Sequence, residues 1–282
     1  MALAIATNNA ALNTAASASS VNRDMETSMA RLSSGKRINS ASDDAAGVAI
    51  SSRLSAEIRG TDQAIRNSLD GQALIDTAEG AHKEIENILQ RMREVTIQAA
   101  NDTNNDQDRA NLQAEINAMT TEIDRIAGTT TWAGESLMAD DAATTDFSFQ
   151  VGAATGTQNQ ITVSISGMTA TGLSLGTSAA PAVDVTDAAK ANTGTGLIDT
   201  AIKDVNIQRS KLGAVSNRLN HTVNNLTNIS SNLSAAKGGI EDADFALETT
   251  NLAKNQILQQ ASTAMLAQAN ASKQNVLSLL QG

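Results

Sequence analysis

The apolar positions of this 282-residue chain fall into long runs with alternating gaps of three and four residues. Ala78, Ala81, Ile85, Ile88, Met92, Val95 and Ala99 are spaced 3, 4, 3, 4, 3 and 4. Side chains three and four apart share one face of a helix. The run therefore predicts a helix with a single apolar stripe that packs lengthwise against another helix. Leu54, Ile58, Ile65 and Leu69 place the same stripe upstream. Leu112, Ile116, Met119, Ile123 and Ile126 form a second seam. A third runs through Leu212, Val215, Leu219, Val223, Leu226, Ile229 and Leu233, led in by Ile198, Ile202 and Val205.

Both ends of the chain carry seams as well. Ile5, Leu12, Met25, Met29 and Leu32 mark the first, and Leu258, Ala261, Met265, Ala269, Ser272, Val276 and Leu279 the last. Small residues occupy several of the C-terminal positions. At about 25 cal/mol per Å2 of apolar area removed from water, an Ala-rich seam contributes far less than a Leu-rich one. The terminal helices are thus expected to be marginal alone and to need partners.

The breaks between seams are also readable. Ser40, Ser42, Asp43 and Asp44 supply a cap and an acidic first turn for a new helix. Asn101–Asp108 is a polar connector, and Gly238–Gly239 is expected to end the long C-terminal-half helix. Nine of the 18 glycines fall within 128–196, where the helical period stops. There Phe147, Phe149 and Val151 alternate with polar residues, as do Ile161, Val163 and Ile165. Two alternating runs around a Gly- and Thr-rich loop predict a β-hairpin. The stretch from there to about Asn192 is Thr, Ala, Gly and Ser rich and reads as an exposed insertion. The expected fold is mainly α, with long antiparallel coiled-coil helices from both termini and a small central β-hairpin. Residues 1–42 plus 246–282 are expected to form one domain, and 43–245 a second, with the insertion at about 134–192.

Composition sharpens this picture. Three Phe, one Trp and no Tyr leave few aromatics for a globular enzyme core, and one Pro leaves long helices uninterrupted. The absence of Cys removes disulfides, thiolate ligands and Cys nucleophiles. The net charge of −10 disfavours a nucleic-acid partner. Charge is unevenly spread: residues 61–130 hold 6 basic and 13 acidic side chains, whereas the two ends are near neutral. No run is apolar enough to span a membrane, and the N-terminal stretch lacks the basic and apolar regions of a cleaved signal.

Candidate chemistry is sparse. Asp102, Asn104, Asp106 and Asp108 follow the first positions of a calcium loop, but Gln107 replaces its glycine and Gln113 its bidentate glutamate. A polar turn at a helix start is the simpler reading. Gly194 and Gly196 begin a G-x-G pattern that ends on Asp199, with no strand before it. Ser33–Lys36 matches S-x-x-K without companion motifs. His82 and His221 read as helix-surface or flank residues. The adjacent pairs Asp43–Asp44 and Asp140–Asp141 cannot face one substrate from a helix. The catalytic, cofactor-binding and metal-ligating inventories end empty.

Several ordered segments carry a resemblance. Arg31-Leu-Ser-Ser-Gly-Lys-Arg-Ile-Asn-Ser-Ala-Ser-Asp-Asp-Ala-Ala-Gly-Val-Ala-Ile50 resembles the N-terminal signature of bacterial flagellins. Leu89–Asn101, Gln113–Ile116 and Glu122–Ile126 resemble the family's two core helices, and Ala261–Leu280 its C-terminal helix. The likeness covers about 1–138 and 195–282, and the middle is shorter than in many members. It implies a homopolymeric filament subunit, secreted unfolded through the flagellar type III apparatus into the extracellular flagellum. The terminal helices would form an inner coiled-coil layer, with Ile5, Leu12, Met25, Met29, Leu32, Leu258, Met265, Val276, Leu279 and Leu280 packing between subunits. The family also implies an export chaperone on the C-terminal helix and contacts with cap and hook-associated proteins. It implies recognition by a host Toll-like receptor at Arg91, Val95 and Glu115, with Leu89 and Gln98 adjacent, and by cytosolic inflammasome sensors at Leu277, Leu279 and Leu280. A hook–filament junction protein of the same superfamily is the alternative.

Overall fold

A computed structural model describes residues 7–139 and 144–281, with side chains as far as Lys273. The elements in chain order are α1 (Asn9–Ser34), α2 (Ala45–Ala99), α3 (Asp106–Thr129), β1 (Thr131–Trp132), β2 (Glu135–Ser136), β3 (Thr144–Gln150), a 3-10 turn (Thr157–Asn159), β4 (Gln160–Ser166), α4 (Ala188–Glu241) and α5 (Phe245–Gln281). The mainly helical architecture, the packing of the two terminal helices and the central hairpin all match the sequence reading. The chain divides into two compact units: 1–58 with 231–282, and 59–230.

The unit formed by 59–230 holds the main core. On α2, Ala78, Ile85, Met92, Val95 and Ala99 are fully buried. On α3, Ile116 and Ile123 are, and on α4 Ile198, Val205, Leu212 and Leu219. Each lies on a seam expected from the spacing. Asn105 starts α3 with a capping box: its side chain accepts from the Asp108 amide, and the Asp108 carboxylate accepts from its own. Asp106 and Asp108 also place negative charge in the first turn, where the helix dipole favours it. Asp108 is thus a helix-starting residue.

Upstream on α2 the buried face is not the one expected. Leu69 is exposed, while Thr61, Ala64, Ser68, Gly71 and Leu74 are buried. The β3–β4 hairpin sets this phase. A Cβ on Gly71 would come within 3.3 Å of both Phe149 and Leu219, so only glycine lets that ring approach without a shift. The hairpin itself pairs Phe147 with Val163 and Phe149 with Ile161, and buries Ile161, Val163 and Ile165. The Gln208 amide donates to the Ser164 carbonyl at 2.7 Å and ties β4 to α4.

The segment after β4 also corrects the sequence reading. It is not an exposed insertion: Met168, Ala170, Leu173, Leu175, Val183 and Val185 are all buried. Part of its backbone is satisfied from α3. Asp124 accepts from the Ala170 amide at 2.8 Å, and Gln113 both accepts from the Val185 amide and donates to the Val183 carbonyl. A short β1–β2 hairpin, unseen in the sequence, turns through Ala133 and Gly134, both with positive φ.

Candidate functional site

The unit formed by 1–58 and 231–282 is built on two antiparallel helices, α1 and α5. Asn8 caps α1 and its amide donates to the Ala269 carbonyl. Farther along, the Gln259 amide donates to Asn22 at 2.8 Å, and Arg31 pairs with Glu248 at 3.0 Å. Ser28 and Glu248 are buried in the same seam. Glu248 is the lone acidic residue of 246–282, which was the available clue that it had a partner. The buried positions of the α1–α5 seam are therefore polar.

Many of the large apolar side chains are exposed instead. Leu12 is 60% exposed and Met265 64%. Met29, Phe245, Leu247, Ile257 and Leu258 are exposed as well. Met25 and Leu32 are half-buried. Ile5 lies outside the described residues. Val276, Leu277, Leu279 and Leu280 belong to α5, but their side chains lie outside the described set.

The Arg31–Ile50 signature forms the join at the base of this pair. Gly35 ends α1 in the left-handed conformation, at φ 70°, where a side chain would be strained. The Ala243 amide then donates to the Gly35 carbonyl at 3.0 Å, and the Arg37 amide to the Glu241 carbonyl. Lys36 adds an ion pair to Glu241 at 3.1 Å. Asp43 folds the turn by accepting from the Asn39 and Ser40 amides and the Ser40 hydroxyl. The bonds from Ser40 and Asn39 hold its carboxyl below the usual carboxylate range. Asp44 accepts from the Gly47 amide at 2.8 Å and caps α2. The acidic pair precedes the helix and does not lie in its first turn. Gly238–Gly239 does not end α4, which continues to Glu241 and meets this join.

On the unit formed by 59–230, α2 and α3 bring Arg91 and Glu115 together. Arg91 donates through Nε and Nη2 to Glu115, at 3.1 and 2.9 Å, and through Nη1 to Glu94 at 3.0 Å. Its bonds to Glu115 and then Glu94 raise the guanidinium pKa further. Gln98 is exposed on the same helix. Leu89 and Val95 show no accessible surface and pack in the core beneath. Of the five residues expected to form a receptor surface, three are thus reachable from solvent.

His82 departs from expectation. It is fully buried rather than a surface or flank residue, whereas His221 is exposed. Asp140 and Asp141 lie outside the described residues. No helix among the described residues is long and apolar enough to cross a membrane.

The chain matches the model of the bacterial flagellin N-terminal helical region over residues 5–143 and that of the C-terminal helical region over 195–280. It belongs to the bacterial flagellin family. Flagellins of Halalkalibacterium halodurans and Bacillus subtilis are 47% and 44% identical to it. The alignments span 90% of both chains in the first case, and 97% of this chain and 98% of the relative in the second. The crystal structure of Bacillus cereus flagellin is 32% identical, with a TM-score of 0.47 over 61% of this chain and 94% of that one. Membership makes the chain a structural subunit of the extracellular flagellar filament, which serves motility, and not an enzyme.

Proposed function

We propose that the subunit polymerises by coupled folding and association of α1 and α5 with the same helices of neighbouring copies. The observation that carries this reading is the placement of side chains in the pair. Within one molecule the buried seam positions are polar, Ser28 and Glu248, the apolar Val21, Met25, Leu32, Leu252 and Leu266 are only half-buried, and Leu12, Met29, Phe245, Leu247, Ile257, Leu258 and Met265 are exposed. A pair so arranged gains little apolar burial alone and much when sister helices cover it. Ile5, Val276, Leu279 and Leu280 are proposed to take part in the same packing on the strength of the sequence and the family resemblance. A contact of this kind is heterologous, so it repeats into a helical polymer. On this reading 1–42 with 246–282 forms the terminal assembly layer and 43–245 the rod.

The test uses the exposed positions. Leu12→Asp and Met265→Asp are expected to leave monomer stability within about 0.5 kcal/mol of wild type, since both sites are solvated. Assembly would bury an unpaired carboxylate at a cost of several kcal/mol, so seeded growth is expected to stop. Filaments of normal length from both variants, seen by electron microscopy, would defeat the reading.

We further propose that Arg91, Gln98 and Glu115 present a recognition surface to a host Toll-like receptor, with Leu89 and Val95 holding it from beneath. The support is a guanidinium and carboxylate locked across two helices, exposed and pre-ordered. Arg91→Ala is expected to lower receptor activation by at least about tenfold while leaving the thermal transition near wild type. Unchanged signalling in a reporter-cell assay would remove Arg91 from that surface. Leu277, Leu279 and Leu280 are proposed for inflammasome sensors. The α5 helix is proposed for an export chaperone before secretion, and the assembled ends for cap and hook-associated proteins.

A further inference from the structure

His82 is a titratable group enclosed in a helical core. Its relative accessibility is 0%. Neither Nδ1 nor Nε2 makes a hydrogen bond of normal geometry, and the one backbone acceptor that acts on the ring is the Ala78 carbonyl a turn earlier. On α2 it stands four residues after Ala78, three before Ile85 and seven before Leu89, and all three of these are fully buried. It therefore occupies a core position that an aliphatic residue would fill without leaving a polar atom unmet.

The charges around it are few and already engaged. Glu79, on its own helix, pairs with Arg209 of α4 at 2.7 Å. Arg209 also pairs with Glu86, which accepts from Asn206. The buried face of α3 offers Ile116, Thr120, Ile123 and Ala127, none of them titratable. The buried positions of β4 are Ile161, Val163 and Ile165. A proton on the ring would add a positive charge close to Arg209. Glu79, the carboxylate whose charge favours that proton, is held by the same arginine.

We propose that His82 is an acid-sensing switch in the unit formed by 59–230, which stays packed while the imidazole is neutral and loosens when it takes up a proton. Burial is the main cause that lowers its affinity for a proton, aided by Arg209 and opposed by the Ala78 carbonyl and Glu79. The unfolded chain has no such restraint and protonates near the ordinary value of 6.5. Below that pH the unfolded state binds the extra proton and the folded state resists it. Stability is therefore full above 6.5, falls as the pH drops, and levels out below the folded value. The limiting effect of one proton is a tenfold rise in the unfolding equilibrium constant per pH unit.

The experiment is urea unfolding of the full-chain monomer at about pH 5 to 8, comparing wild type with His82→Leu and His82→Gln. Carboxylates titrate in all three proteins, so their effect cancels in the difference. The wild type is expected to lose stability relative to both variants on acidification, by up to tenfold in the equilibrium constant per unit below 6.5. Curves that run parallel from pH 8 to 5 would overturn the switch. Should a variant fail to fold, NMR titration of the His82 ring in the native wild type decides. A midpoint below 6.5 supports the proposal, and one at or above it overturns the proposal.

Discussion

Deleting residues 1–32, or 250–282, is expected to abolish filament growth while leaving a folded monomer. The reason lies in where the core is. Its buried cluster runs from Leu74 to Leu219 and takes no residue from either deleted segment. Either deletion, however, removes one partner of the α1–α5 pair. Loss of α1 takes away Asn22 and Arg31, and with them the bonds to Gln259 and Glu248. Loss of 250–282 removes Ile257, Leu258 and Met265 from the exposed apolar set. Circular dichroism should show a cooperative transition for both truncated chains, and seeded assembly should show no polymer. Long filaments from either would mean that terminal packing does not drive growth. Amide exchange on the intact monomer supplies a second check: α1 and α5 should exchange much faster than α2 around Ile85. Equal protection of both regions would contradict coupled folding.

Ile85→Asp is expected to have the opposite effect, destroying the fold of the 59–230 unit itself. Ile85 is fully buried in the middle of the first seam. Truncation to Ala at such a site costs about 2–5 kcal/mol through lost burial and an unfilled cavity. A carboxylate adds the cost of a charge with no counter-ion, because Arg209 is already shared between Glu79 and Glu86. Small and medium domains have about 5–15 kcal/mol of net stability, so the sum consumes most of it. Loss of the cooperative denaturant transition at 25 °C is the expected result. A midpoint close to wild type would show that the α2 seam is not the organising core.

The heptad arithmetic located this core well, because a buried residue on a long helix must recur every three or four positions. Ile85, Met92, Ile116, Ile123, Leu212 and Leu219 were all legible in this way. The same reasoning failed on α2 upstream of Leu74, where the neighbour is a β-hairpin. The Phe149 ring needs a gap, and Gly71 provides it, while Thr61, Ala64 and Ser68 are the other buried positions, so the buried face there carries few large apolar residues. It failed again at 168–185, whose buried residues follow no helical or strand period. Polar anchors hold that segment, and Asp124 and Gln113 look like ordinary surface residues of a helix until the chain folds. The terminal seam was hidden for a related reason. Spacing predicts which residues share a face but not whether the first partner is within the molecule or beyond it. The contacts of Asn22 and Arg31 could not be distinguished from solvated polar positions, and only the isolation of Glu248 as the one acidic residue of 246–282 hinted at its partner.

The buried path of 168–185 has a practical meaning for anyone grafting foreign sequence into this subunit. By length and composition that stretch is the inviting place, since it is rich in Gly, Ala, Ser and Thr. A peptide inserted there would have to displace Leu173, Leu175 and Val183 from the interior. The turn at 154–158 is the better host. Its side chains are exposed, and behind it the Val151 amide bonds to the Asn159 carbonyl and closes the strands. An epitope carried on that turn would leave the buried side chains of the 59–230 unit in place.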